Sequence, residues 1–549
     1  MMTKWIATLF ILSFVSACGD DSATGNNNQN DTPGICGNGV VDLGEQCDDG
    51  ELNSDSQADA CRNDCRQAYC GDRVVDAGET CDDGPSNSDF LAGACRSDCQ
   101  PFHCGDGVID PGEECDDANT SGGDGCSDQC LVEAHWHCAG APSLCTCQDY
   151  RLGEGCAQCR VLVDQGAVGS VADGLSWETA LGTVQEGIDA GYGAGPGCEV
   201  WVAAGTYRVF QTSLFNTVEL RSGVGVYGGF AGGETERSQR DWQAHETVLD
   251  GEHPTDSQWA VMHVVTAEDT VDATLDGFVV QNGFAQGPRA EDNLGAGLLA
   301  FGAVMTIERC RVTLNIATGS GGGLYAYGSD LVIRDSSFVA NYAYGDGAGL
   351  LVGLSNLELD RSEIRDNQVI SPASGNGGGL NSQASDVHAI NTLFVTNRAR
   401  GDGGGIYNIY STVSLVHCTV SDNSTVGGVG DSFYKGAGSS VEIISSLIVG
   451  DYHLTTSTDI TASYSLMPTS WTGGGPGTLA TTPTFVGGGD YHLHNTSAGI
   501  DRADGLAAPP GDLEGTPRYD VNTVNDVYVC AGQPGCVSYA DCGAYEYHP

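Results

Sequence analysis

A glycine signature sets what this chain can fold into. Gly-small-Gly-aliphatic recurs at Gly295-Ala296-Gly297-Leu298, Gly321-Gly322-Gly323-Leu324, Gly347-Ala348-Gly349-Leu350, Gly377-Gly378-Gly379-Leu380 and Gly403-Gly404-Gly405-Ile406. Asn315, Asn341, Asn367, Asn397 and Asn423 keep step, and both series advance by 26, 26, 30 and 26 residues. A period of this size belongs to stacked supersecondary units, so a solenoid is expected.

Apolar columns define the strands. Ile307, Ile333, Leu359, Ala389 and Leu415 form one, and Val312, Phe338, Ile364, Phe394 and Val420 another. Both must point inward. Between them stands a small residue: Cys310, Ser336, Ser362, Thr392 or Cys418. Stacked asparagines can hydrogen-bond from coil to coil. Outward, Glu308, Arg334 and Asp360 alternate in sign, as do Arg309, Asp335 and Arg361. Such columns give favourable cross-strand pairs and read as structural. Cys310 and Cys418 lie four coils apart, roughly 19 Å at about 4.8 Å per strand, and should stay reduced. Ser176 is predicted to N-cap a helix with Trp177, Leu181, Val184 and Ile188 on one face and Gly191 ending it, closing the N-terminal end of the stack.

Two stretches resemble the opening coils of bacterial right-handed parallel β-helix proteins of the pectate-lyase-like fold. They are Trp201-Val202-Ala203-Ala204-Gly205-Thr206-Tyr207 and Tyr227-Gly228-Gly229-Phe230-Ala231-Gly232, extended by Arg240-Asp241-Trp242 and Leu249-Asp250-Gly251. The C-terminus, from Tyr491-His492-Leu493 to Asp541-Cys542-Gly543-Ala544-Tyr545-Glu546, is similar to the choice-of-anchor Q group of surface proteins. Cys542 departs from that group, where an aliphatic residue is usual. The resemblance implies an all-β solenoid over residues 160–490 and a closing segment over 491–549.

The N-terminus reads as a secretory signal over residues 1–17, with Lys4 before an apolar stretch. Val15-Ser16-Ala17-Cys18 resembles a bacterial lipobox, which implies a lipid on Cys18 and attachment to a membrane, outer membrane or cell surface. Residues 18–35 are polar and aperiodic, a tether. The formal charge is −51, with 73 acidic against 22 basic side chains. This disfavours nucleic acid and anionic polymers as partners and favours divalent cations.

Twenty-four cysteines in an exported chain imply disulfides. Cys36, Cys47, Cys61 and Cys65 recur 34 residues later as Cys70, Cys81, Cys95 and Cys99, and again, with a shortened loop, as Cys104, Cys115, Cys126 and Cys130. Four cysteines per unit leave three pairings open. Residues 36–130 resemble the cysteine-rich repeats of myxobacterial surface proteins and the calcium-binding Notch-type repeats of secreted metalloproteases. Candidate Ca2+ oxygens are Asp48, Asp49, Asn53 and Asp55; Asp82, Asp83, Asn87 and Asp89; and Asp116, Asp117, Asn119 and Asp124. The plain alternative is an acidic turn beside disulfides. Residues 131–159 resemble an EGF-type connector in Cys147-Gln148-Asp149-Tyr150-Arg151-Leu152-Gly153-Glu154-Gly155-Cys156. If the strands after Cys159 and Cys198 are neighbours, these two cysteines pair. Cys530 and Cys536 are expected to close a small loop.

The resemblance does not settle function, and no coherent polygalacturonase signature is present. Asp346 and Asp402 precede glycine turns two coils apart, roughly 9.6 Å, near the spacing of an inverting carboxylate pair. Gly-Asp-Gly is also ordinary turn chemistry. Tyr342, Tyr344, Arg398 and Arg400 share one edge, where Ile370-Ser371-Pro372-Ala373 lengthens a loop. Rings and guanidinium groups there can contact sugars. The expectation is a surface lipoprotein acting in adhesion or glycan binding without turnover, against a glycosidase or lyase, or a structural spacer.

Overall fold

The computed structural model describes residues 35–549, apart from 148–149, 153–155, 157, 170, 257–258, 373, 457–458, 521–535, 538 and 549. The expected signal, Cys18, the tether through residue 34, and Cys530 lie outside the described residues. The chain forms two compact units. Of the described residues, one comprises 35–122 with 126–132 and 138–144; the other comprises 123–125, 133–137 and those from 145 onward. The expected connector over 131–159 is thus shared between them, with Cys147 bonded to Cys156.

Each cysteine-rich repeat of the first unit pairs its outer and inner cysteines. The bonds are Cys36–Cys65 and Cys47–Cys61, then Cys70–Cys99 and Cys81–Cys95, then Cys104–Cys130 and Cys115–Cys126. Repeats this small bury little apolar surface, so crosslinks carry much of the stability. A buried arginine fastens each repeat to the next. Arg62 reaches Asp72 at 2.6 Å and Asp76 at 2.5 Å, and donates to the carbonyls of Ser54, Gln57 and Ala60. Arg96 repeats this with Asp106 and Asp110. The equivalent position in the third repeat is Ser127, and there the series ends.

The second unit is a right-handed parallel β-helix. One coil contributes Leu298–Phe301 to a nine-stranded sheet and Val304–Glu308 to a twelve-stranded sheet. It then adds Arg311–Thr313 to an eleven-stranded sheet and Ile316–Ala317 to a six-stranded sheet. The register matches equivalent residues of successive coils, as in Leu298↔Leu324, Ile307↔Ile333 and Val312↔Phe338. Both predicted apolar columns are fully buried. The charge column also holds: Glu308, Arg334 and Asp360 are register partners, and Arg361 clasps Asp335 at 2.7 Å.

Corners between strands are made by side chains that receive the preceding coil's amides. Asn315 Nδ2 donates to Asn341 Oδ1 at 3.0 Å, Asn341 to Asn367 at 3.1 Å, Asn367 to Asn397 at 3.0 Å, and Asn397 to Asn423 at 3.0 Å. The glycine series keeps step for a steric reason. A Cβ on Gly323 would meet the Gly349 carbonyl at 2.6 Å and Asn341 Nδ2 at 3.0 Å, while Gly321 turns at φ +70°. A hydroxyl ladder absent from the sequence reading occupies another corner: Ser329 N–H donates to Ser355 Oγ, Ser355 to Ser385, and Ser385 to Ser411.

At the N-terminal end, Cys159 and Cys198 are register partners and form a disulfide, as expected. The helix differs from its prediction. It runs Val184–Ala194, with Thr183 as N-cap in a reciprocal box with Glu186 and Gly195 as C-cap. Ser176 and Thr179 make a turn instead, and Leu181 bridges to Val163 as strand, so the helix cannot begin earlier. Gly191 lies within the helix, against Val200 and Val224. Val184 and Ile188 still bury against Val161, Val163 and Val200, as a cap requires.

Cys310, Cys418 and Cys542 are free and buried. Cys542 joins Leu447, Leu466, Leu493 and Ile500, so the thiol fills the usual aliphatic place. The C-terminal segment covers the outer face of the later coils of the eleven-stranded sheet. Tyr491 packs on Leu393 and Val395, and Ile500 and Cys542 pack near Leu447.

Candidate functional site

The carboxylates weighed for catalysis belong to a further ladder, along the glycine turns. Ser320 Oγ accepts the Asp346 N–H at 3.0 Å, and Asp346 Oδ1 accepts the Asn376 N–H at 2.7 Å. Asn376 Oδ1 accepts the Asp402 N–H at 2.8 Å, and Asp402 Oδ1 accepts the Val429 N–H at 2.9 Å. One oxygen of each carboxylate is therefore occupied in holding the adjoining coil, and Asn376 stands between them. Burial raises the Asp346 carboxyl, against the pull of the Asn376 amide.

Tyr342, Gln368, Arg398 and Ser424 form one outward column of the six-stranded sheet. Ala343, Val369 and Ala399 alternate with them and are buried, so the tyrosine and arginine side chains face out. Tyr344 and Arg400 are the next outward positions of their coils and are exposed, Tyr344 by 44%. The structure thus brings the four predicted residues onto one strip. Among the described residues, the Arg398 and Arg400 guanidiniums have no ion pair or hydrogen bond. Most other arginines do, including Arg309, Arg311, Arg334, Arg361 and Arg365.

An aromatic column on the nine-stranded sheet escaped the sequence reading. Tyr407 stacks on Tyr434 at 4.8 Å, and Tyr434 on His453 at 5.1 Å. Burial raises the Tyr407 phenol, and Tyr434, Asp402 and Asp346 add to the shift. The signal lay in the residue after each turn's aliphatic: Tyr325, Tyr407 and Tyr434.

Most of the oxygens named for calcium also hold backbone amides. Asp48 accepts from Gly37, Asn38, Gly39 and Gly50; Asp82 from Gly71, Asp72, Arg73 and Gly84; Asp116 from Gly105, Asp106, Gly107 and Ala118. Asp49 and Asp83 accept from Cys61 and Cys95, and Asp55 and Asp89 from residues Asn63 and Ser97. Desolvation raises Asp48 and Asp82, but their amide donors outweigh it and hold both below the usual range. Among the described residues, the threefold clusters of ligand-type atoms are Glu45 with Cys36 and Cys65, and its two equivalents. Their sulfurs are joined in disulfides, so these three clusters are not ligand sets.

No protein-family model matches this chain, and no curated protein does. Among solved structures it is similar to the pectate lyase Pel9A, with 13% identity, covering 71% of this chain and 97% of that one, TM-score 0.37. A rhamnogalacturonan lyase gives 12% identity, 67% and 96% coverage, and TM-score 0.33. PfbA, a surface adhesin of Streptococcus pneumoniae, gives 12%, 56% and 82%, and 0.26. At these scores the likeness assigns no activity to this chain.

Proposed function

We propose that this protein is an exported, lipid-anchored surface protein whose β-helix binds glycan without turning it over. One observation carries the reading: Arg398 and Arg400, without partners among the described residues, share a single strip with Tyr342 and Tyr344, two coils away. An unpaired, planar guanidinium offers several donors to hydroxyl or acidic groups, and a neighbouring phenol ring offers a stacking face. Disulfides throughout the first unit support folding in an oxidising compartment. The Cys18 lipid and a membrane surface complete the proposal, as does a glycan or glycosylated surface protein as partner.

A glycan array probed with the mature protein tests it. Binding that falls at least tenfold in Tyr344→Ala and Arg398→Gln supports the reading; failure to bind any glycan, or binding unchanged in both variants, defeats it. Burial of Asp346 favours one competing reading, a hydrolase with Asp346 as acid and Asp402 as base. Reducing-end release that Asp402→Asn abolishes would establish that reading instead.

A further inference from the structure

We infer that the open stretch of the eleven-stranded sheet is a second, separate site, one that takes a neutral oligosaccharide. The outward column of this sheet changes character along the stack. It reads Val279, Arg311, Ser337 and Glu363 in the earlier coils, then Leu393, Thr419 and Leu447. The C-terminal segment covers the apolar part. It stops short of the polar part, where a groove of about 630 Å3 remains. Trp242, Leu513 and Glu514 line it above the strands. This volume falls within the roughly 300–1,000 Å3 range of small-ligand sites.

The arginines along the groove already have counter-ions, Glu363 lies 3.8 Å from Arg365, and Glu514 meets His492 at 3.6 Å. Arg309 is held by Asp276, Arg361 is clasped by both oxygens of Asp335, and Arg311 meets Glu246 at 2.8 Å. A charged ligand would have to break these pairs; hydroxyl groups can bridge them, accepting from guanidinium and donating to carboxylate. The half-buried Trp242 indole, whose N–H has no partner among the described residues, supplies a face for a sugar ring. Strands repeat about every 4.8 Å, close to the advance of a polysaccharide per residue, so successive rings can meet equivalent floor positions. This contrasts with the Tyr342–Arg398 strip, whose guanidiniums are unpaired, and the two sites stand or fall independently.

Isothermal titration of the full chain decides the matter. Maltotetraose, cellotetraose and mannotetraose are the neutral probes, and tetragalacturonate the acidic one. At least one neutral probe should bind saturably, at least tenfold more weakly to Trp242→Ala, while Trp242→Phe binds within twofold of the parent. The inference is overturned if no neutral probe binds, if Trp242→Ala titrates like the parent, or if tetragalacturonate alone binds in a Trp242-dependent manner. Circular dichroism of Trp242→Ala must match the parent; if it does not, Arg311→Gln takes its place with the same tenfold criterion.

Discussion

Asn367 donates to the Phe338 carbonyl at 2.8 Å and to Asn397 Oδ1, while its own oxygen receives both the N–H and the Nδ2–H of Asn341. All these groups are buried, and no water can replace a lost partner. Each unsatisfied buried group costs about 1–3 kcal/mol, so Asn367→Ala should destabilise the β-helix by about 3 kcal/mol or more. A lowered urea midpoint for the body's transition checks this. The free thiols follow the same logic of enclosure: burial pushes Cys310 and Cys418 up to about 12 and raises Cys542 too. In the native protein these three should resist iodoacetamide at pH 8 and become labelled after unfolding, as read by peptide mass mapping.

At the scale of elements, the arginine fasteners make a pH prediction. Burial raises Asp72 and Asp106, but Arg62 or Arg96 and backbone amides outweigh it and hold both low. A depressed carboxylate contributes stability above its unfolded value, near 3.8, and loses it as pH falls below that. Hydrogen exchange in the cysteine-rich repeats should therefore be flat from pH 5 to 8, after correction for intrinsic rates, and accelerate below about pH 3.8. Arg96→Gln would leave Asp106 and Asp110 without their cation and should cost about 3 kcal/mol or more. Because the disulfides and these ion pairs provide the crosslinks, dithiothreitol should abolish the protease resistance of this unit.

The same scale shows what the sequence made legible. Inward columns and the asparagine ladder could be read because a register fixed by 26-residue spacing repeats one chemistry at one position. The helix start was misplaced because Ser176 is a good cap by type, whereas the reciprocal pattern Thr183-Val184-Gln185-Glu186 marks the true one. The serine ladder beginning at Ser329 and the inter-repeat role of Arg62 went unread because a hydroxyl or a guanidinium in a turn has many uses. Only the fold supplies the partner. The Asp-Asp-Gly text of each repeat offered oxygens, but the amides of Gly37, Gly71 and Gly105 that Asp48, Asp82 and Asp116 receive could not be read from it.

For the whole molecule, stacking converts sequence spacing into surface. Residues far apart in the chain become neighbours on a strip, and a polar-to-apolar switch in one outward column marks where a later segment lies down. Both proposed sites depend on that register, which places Tyr342 beside Gln368 and two coils from Arg398. Paired cysteines test it most directly. Adjacent parallel strands lie about 4.8 Å apart, within reach of a disulfide, whereas two coils exceed the roughly 7 Å limit. Under mild oxidation the double variant Tyr342→Cys/Gln368→Cys should crosslink quantitatively, and Tyr342→Cys/Arg398→Cys should not. Crosslinking of the second pair, with the first remaining reduced, would contradict the account.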